Sequence, residues 1–292
     1  MIYEVTHSTT FDYDAPMRYA RCNLRLEPID WPGQSLLSFS LHVAPEGPIS
    51  PSHVAAYAGH IARMVVEQPV TELVITARAR LSVNRVAALP APDDPSVAGV
   101  ARAAVAVADL GVMSPANYIY PSPMIALTPD IAAWCADSLS PGRGIVEAAY
   151  ELTSRIKAAF RYDGAATETD TTPAEAFDRR AGVCQDFAQV MIAGLRAAGL
   201  PAAYVSGYLR TIPPAGKPRL IGADATHAWV MLWCGPARGW LGFDPTNGVG
   251  MNADHILTAI GRDYADIAPI DGIFVGQSGQ SIKVSVDVAP IE

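Results

Sequence analysis

No stretch of this chain is rich in lysine or arginine, and that absence removes the electrostatic footprint of a nucleic-acid binder. The formal net charge of -8 points the same way. Charge is sparse altogether, at 17% of residues against 50% hydrophobic, which excludes a disordered chain and leaves a compact globular one. Long apolar runs are missing as well. The longest stretches, such as Val97 to Leu110, are alanine-rich and interrupted, so no membrane span is expected. Met1-Ile2-Tyr3-Glu4-Val5 has neither the basic segment nor the apolar stretch of an export signal. Cys22, Cys135, Cys184 and Cys234 stand far apart without CxxC spacing, which argues for reduced thiols in a cytoplasmic protein and against structural zinc. His7, His42, His53, His60 and His255 show no metal-ligand spacing, so no metal and no cofactor are expected. Internal repeats and low-complexity tracts are absent too.

What the sequence does contain is patterning. With 292 residues, the chain is long enough for two domains, or one large one, around a substantial core. Tyr3, Val5, His7, Thr9, Phe11 and Tyr13 share one face of an opening strand. Leu37, Phe39, Leu41 and Val43 share a face of another, and Leu73, Ile75, Ala77, Ala79, Leu81 and Val83 a face of a third. Turn-forming Asp14-Ala15-Pro16, Trp31-Pro32-Gly33 and Pro45-Glu46-Gly47-Pro48 separate such runs, so residues 1–88 are expected to form an antiparallel β-sandwich. Leu89-Pro90-Ala91-Pro92 then opens a helical connector over residues 89–127.

Residues 128–292 mix helical and strand patterns. Thr128-Pro129-Asp130 reads as a helix start, and Ile145, Ala149, Leu152, Ile156 and Phe160 make one buried stripe. Thr172-Pro173-Ala174-Glu175 has the form of a capping box with proline at the first helical position. A helix starting at Cys184 is expected to bury Phe187, Val190, Met191, Leu195 and Ala198 and to end at Gly199-Leu200-Pro201. Strand patterns follow over 203–211, 227–233 and 240–244, with Pro213-Pro214-Ala215-Gly216 in a loop between the first two. A final strand, 282–288, fits the sheet of either domain. The expected class is α+β, a β-sandwich followed by a helix packed on an antiparallel sheet.

Three residues in this second half carry chemistry. Cys184 opens a helix, where unsatisfied N–H groups and the positive end of the macrodipole favour a thiolate and can hold an oxyanion. His227 begins a strand, and Asp244 ends the next one, so two antiparallel neighbours bring carboxylate to imidazole. Cysteine, histidine and aspartate in that order can act as nucleophile, base and orienter. Asp224, three residues before His227, competes with Asp244 for the orienting role.

Gly182-Val183-Cys184-Gln185-Asp186-Phe187, Gly207-Tyr208, His227-Ala228-Trp229 and Asp244-Pro245-Thr246 together resemble the core of the transglutaminase-like superfamily. That core shares a papain-like architecture with cysteine proteases. The opening Tyr3-Glu4-Val5-Thr6-His7-Ser8-Thr9 is similar to the β-domain that precedes the core in bacterial members, and Gly261 to Pro269 and Lys283 to Val288 are similar to their closing segments. The resemblance implies acyl transfer through a thioester at Cys184, with His227 as general base and acid and Asp244 orienting it. Water at the thioester gives a peptidase or amidase, the favoured reading; an amine gives a transamidase. Animal members use calcium and extra β-domains on the C-terminal side; neither such domains nor an EF-hand-like loop is expected here, so calcium-dependent cross-linking is not the expected activity. The expected partner is a peptide or protein amide, with no nucleic acid and no membrane.

Less dramatic roles compete at every position. Asp186 complements the helix dipole, and Cys234 reads as packing. Trp229, Trp233 and Trp240 either line an acyl groove or fill the core. Arg179-Arg180 reads as an exposed pair, either solvated or meeting an acidic substrate group. The β-domain could present substrate, roof the cleft or form a homo-oligomer interface. A catalytically silent protein-binding module is the alternative from another class.

Overall fold

The computed structural model describes residues 1–109, 111–212, 225–276 and 279–291. The first half supplies β1 (Ile2–Met17), β2 (Tyr19–Leu24), β3 (Gln34–Ala44), β4 (His53–Val54), β5 (Ala58–Val66) and β6 (Val70–Val83). Helix α1 (Val97–Val105) and α2 (Pro129–Ala136) follow, then α3 (Ile145–Ala159), β7 (Arg161–Tyr162), α4 (Pro173–Arg179) and β8 (Ala181–Gly182). The last part runs α5 (Cys184–Ala197), β9 (Ala202–Leu209), β10 (Ala225–Trp233), β11 (Trp240–Asp244) and β12 (Val249–Gly250). It closes with β13 (His255–Gly261), α6 (Tyr264–Ile267), β14 (Ile270–Val275) and β15 (Gln280–Pro290).

A four-stranded antiparallel sheet has the order β15-β1-β6-β3, so the final strand pairs with the first. The second sheet has nine strands, β12-β11-β10-β9-β13-β5-β2-β14 with β4 on β5, and joins strands from both halves of the chain. Period-2 patterning explains the stacking of the two layers. The odd-numbered residues of β1 face inward, where Phe11, Leu73 and Ile75 meet Cys22, Leu24 and Met64 from the far end of the nine-stranded sheet. Tyr3, Val5 and Leu81 meet Tyr208 and Ile256 further along that same sheet.

One strand departs from the alternation. Leu37 is exposed (53%), because the β3–β6 register shifts between Leu36 and Ser38, and a shift of one residue turns a side chain to the other face.

Helices cover the other face of the strands β9 to β11. The capping box at α4 is present: Glu175 N–H donates to Thr172 Oγ1 at 3.3 Å, and Thr172 N–H donates to Glu175 Oε2 at 2.9 Å. Helix α5 carries more than the expected stripe. Every residue from Gln185 to Arg196 is buried, since α2, α3 and α4 pack on one side and β9 and β10 on the other. Ala198, expected in the stripe, lies half-buried at the helix end. No helix among the described residues is long and apolar enough to cross a membrane.

Gly207 in β9 sits between β10 and β13, opposite His227 and Leu257. A Cβ there would come within 2.7 Å of Trp229 Cη2 and 3.0 Å of the Ile256 carbonyl carbon. Gly207→Ala is therefore expected to destabilise the fold by about 1–3 kcal/mol through overpacking against backbone. Denaturant unfolding checks this, and a wild-type midpoint would refute the close-packing account.

Candidate active site

The helix that bears Cys184 is delivered by a short parallel pair. Strand β7 lies along β8, placing Tyr162 beside Gly182. Val183 then takes the N-cap position, and its N–H donates to Asp186 Oδ2 at 2.8 Å. Thr167 Oγ1 donates to the same oxygen at 2.7 Å. Asp186 thus closes the first turn, although its burial raises the carboxyl pKa against the effect of these bonds. The approach explains Gly182, where a Cβ would lie 2.8 Å from Asp186 Cγ. Cys184 occupies the first helical position and is half-buried.

His227 comes from β10, paired with β11, whose last residue is Asp244. Its Nε2 lies 2.9 Å from Asp244 Oδ2, and the Cys184 thiol is close enough to the ring to raise its pKa. With Nε2 committed to the carboxylate, Nδ1 is the nitrogen left for sulfur. Burial pulls the His227 pKa down, but the hydrogen bond to Asp244 and the neighbouring Cys184 outweigh it and push the value up to about 10. Asp244 is fully buried, and burial alone would raise its carboxyl pKa. Bonds from His227, His255 and Asn247 reverse this and hold it far below the usual carboxylate range.

The Asp244 carboxylate is saturated with donors. Oδ1 accepts the N–H of Thr246 at 2.9 Å and of Asn247 at 3.2 Å, the tight turn expected around Pro245. Oδ2 accepts from His227, from Asn247 Nδ2 at 2.6 Å and from His255 Nε2 at 3.2 Å. Sequence reasoning assigned no role to His255. Its position beside Asp244 follows from β13 pairing with β9, a non-local contact that residue spacing does not reveal. The competitor Asp224 and the loop at Pro213 to Gly216 lie outside the described residues.

His227, Asp244 and His255 also bring three potential metal-ligand atoms within 4.8 Å of one another. The donor set argues against an ion there. Asp244 Oδ2 already receives three N–H groups, one from the Asn247 amide, which a cation would have to displace.

Other candidate residues have structural partners. Trp229 is fully buried behind His227, with ring centroids 6.0 Å apart, and its Nε1 donates to Met251 Sδ at 3.3 Å. Trp233 is buried, and half-buried Trp240 donates from Nε1 to the Met113 carbonyl at 3.0 Å. Cys234 is buried against the carbonyl of Leu232. Arg179 and Arg180 do not form an exposed pair. Arg179 reaches the Ala166 carbonyl at 2.6 Å, while half-buried Arg180 lies over the ring of Phe177 at 3.6 Å and of Trp134 at 5.1 Å. Two tyrosines near the thiol escaped sequence reasoning. Tyr162 is exposed, and Tyr204 is buried; burial and the neighbouring Cys184 raise the hydroxyl pKa of each.

Residues 3–82 match the bacterial transglutaminase-like N-terminal region, and residues 128–245 match the transglutaminase-like superfamily. The chain belongs to the transglutaminase-like superfamily. The superfamily match begins just before α2 and ends just after Asp244, so it contains Cys184, His227 and Asp244 together. A protein of Mycobacterium tuberculosis described as uncharacterized is 48% identical over 170 residues, covering 57% of this chain and 54% of its own length. That match therefore spans about half of the relative. A protein-glutamine gamma-glutamyltransferase of Pseudomonas aeruginosa is 44% identical over 82 residues, 28% of this chain and 12% of that enzyme. Among solved structures, a candidate cysteine protease from Cytophaga hutchinsonii shares the fold with a TM-score of 0.75 at 20% identity. The alignment covers 100% of this chain and 92% of the other.

Proposed function

We propose that this protein is an enzyme that hydrolyses a peptide or isopeptide-like amide through a thioester at Cys184. The observation that carries the reading is the His227–Asp244 hydrogen bond set beside Cys184, which opens a buried helix and helps to raise the His227 pKa. The Cys184 sulfur, as thiolate beside the imidazolium, adds to the amide carbonyl carbon. First-turn N–H groups of α5 face the oxyanion that forms. As the C–N bond breaks, His227 gives its proton to the departing nitrogen, leaving an acyl-thioester and a free amine. Water then adds to the thioester carbon while His227 takes its proton, and collapse releases a carboxylic acid and the thiolate. Asp244 holds the ring throughout.

A second reading, transamidation, draws on the similarity to the Pseudomonas gamma-glutamyltransferase. In it a primary amine replaces water, and the product is a new amide.

Selective alkylation tests the common step. Burial raises the thiol pKa of Cys22 and Cys135 to about 12 and that of Cys234 higher still, so those three are poor nucleophiles at neutral pH. Iodoacetamide at pH 6.5 is expected to label Cys184 faster than the other three, as read by peptide mass spectrometry. His227→Ala is expected to remove that advantage. Equal labelling of Cys184 in wild type and His227→Ala would refute an activated nucleophile. Peptide and glutamine-amide substrates, with and without added primary amine, then separate hydrolysis from transamidation by the mass of the product.

A further inference from the structure

We propose that His255 is a positioning residue for the acyl-transfer reaction: its Nε2–H holds Asp244 Oδ2 in the orientation that fixes His227. The inference rests on the functional reading above. His255 is 1% exposed at the start of β13, with Nε2 3.2 Å from Asp244 Oδ2. Asp244 is ionised, so Oδ2 has no proton to give and the hydrogen in that bond belongs to His255. On the other side of the ring, Nδ1 meets Asn252 twice, at 3.3 Å from its N–H and 3.0 Å from its Oδ1. The ring edge packs against Trp229, with centroids 5.2 Å apart at 72°. Trp229 in turn stacks behind His227. One buried ring therefore touches both the carboxylate that orients His227 and the indole that backs it.

The arrangement divides the labour at Asp244. Oδ1 is tied to its own turn by Thr246 and Asn247, which fixes the carboxyl group in place. Oδ2 serves His227, and its direction depends on the two other donors, Asn247 Nδ2 and His255 Nε2. Asn247 belongs to the same turn as Asp244 and moves with it. His255 comes from β13, three strands along the sheet from β11, so it alone of the two refers the carboxylate to the body of the protein. Loss of the His255 donor frees Oδ2 to tilt toward Asn247 and to drag His227 off the thiol.

The test compares His255→Leu, which removes the donor and keeps the bulk, with His255→Gln, which keeps an N–H within reach. Loss of a hydrogen bond to a buried charge is expected to slow Cys184 alkylation by about tenfold to a hundredfold in the Leu variant, with Gln within about threefold of wild type. The downfield proton resonance of His227 Nε2–H is expected to vanish in the Leu variant and persist in the Gln variant. A folded Leu variant that keeps the wild-type rate and resonance overturns the proposal, as does a Gln variant that falls as far as Leu. If the Leu variant does not fold, the Gln variant decides alone, because a tenfold loss there overturns the proposal. Failure of the functional reading looks different: wild-type Cys184 would then react no faster than in His227→Ala.

Discussion

Asp244→Asn is expected to lower turnover about ten-thousandfold while leaving a folded protein, the scale of loss seen when a triad histidine is held in the wrong tautomer. The turn explains why the amide would sit the wrong way round. Thr246 and Asn247 both donate backbone N–H groups to Oδ1, so the amide oxygen of the variant must take that side. Its NH2 then faces three donors, from His227, His255 and Asn247. His227 escapes the clash by moving its proton from Nε2 to Nδ1, toward Cys184, where it can no longer accept the thiol proton. Single-turnover acylation of Cys184, measured beside the melting temperature, checks this. A variant acylating within tenfold of wild type would sink the orienting role.

The second large effect concerns acid and His7. This residue is buried between the sheets, with Nδ1 3.1 Å from Tyr208 Oη and Nε2 3.0 Å from Thr9 Oγ1. Burial lowers its pKa from 6.5 to about 4. An unfolded chain binds a proton on this histidine near pH 6.5, whereas the folded chain refuses it until about pH 4. Stability that is complete above pH 6.5 is therefore lost as pH falls toward 4, by about 3 kcal/mol from this group alone. His7→Gln keeps hydrogen-bonding groups near Tyr208 and Thr9 without a titrating ring. The expected result is that wild type loses markedly more stability between pH 6.5 and 4 than the variant, measured by denaturant unfolding at each pH. Parallel losses in the two proteins would refute the assignment. Tyr208 belongs to β9, so the contact joins the first strand of the chain to the strand beside His227.

Much of this architecture could be read from residues in order, and the exceptions have a common cause. Cys184 opens α5 and Asp244 ends β11 at boundaries that local pattern declares, and short-range pairing of β10 with β11 brings Asp244 to His227. The capping box at Thr172 and the stripe from Ile145 to Phe160 are likewise local. What escaped depends on partners distant in sequence. A helix with apolar periodicity reads as one-sided, yet α5 is enclosed because β9 and β10 arrive later to cover its other face. Leu37 turned outward at a register shift that alternation alone does not reveal. His255 carries no spacing signature, since its neighbours are Asp244 and Trp229 across the sheet. The nine-stranded sheet is the largest case, because pattern identifies strands but not which strand from the other half lies alongside.

The pairing of β1 with β15 sets a timetable for synthesis. Tyr3 faces Pro290 and Tyr13 faces Gln280, so one edge of the first strand finds its partner only when the last strand has been made. Its other partner, β6, is complete by Val83. At bacterial and eukaryotic elongation speeds the intervening chain takes roughly 10–40 s to emerge, and throughout that time β1 offers a row of unpaired N–H and C=O groups. A ribosome that stalls or stops before residue 280 leaves that edge open for good, exposed to any other nascent strand.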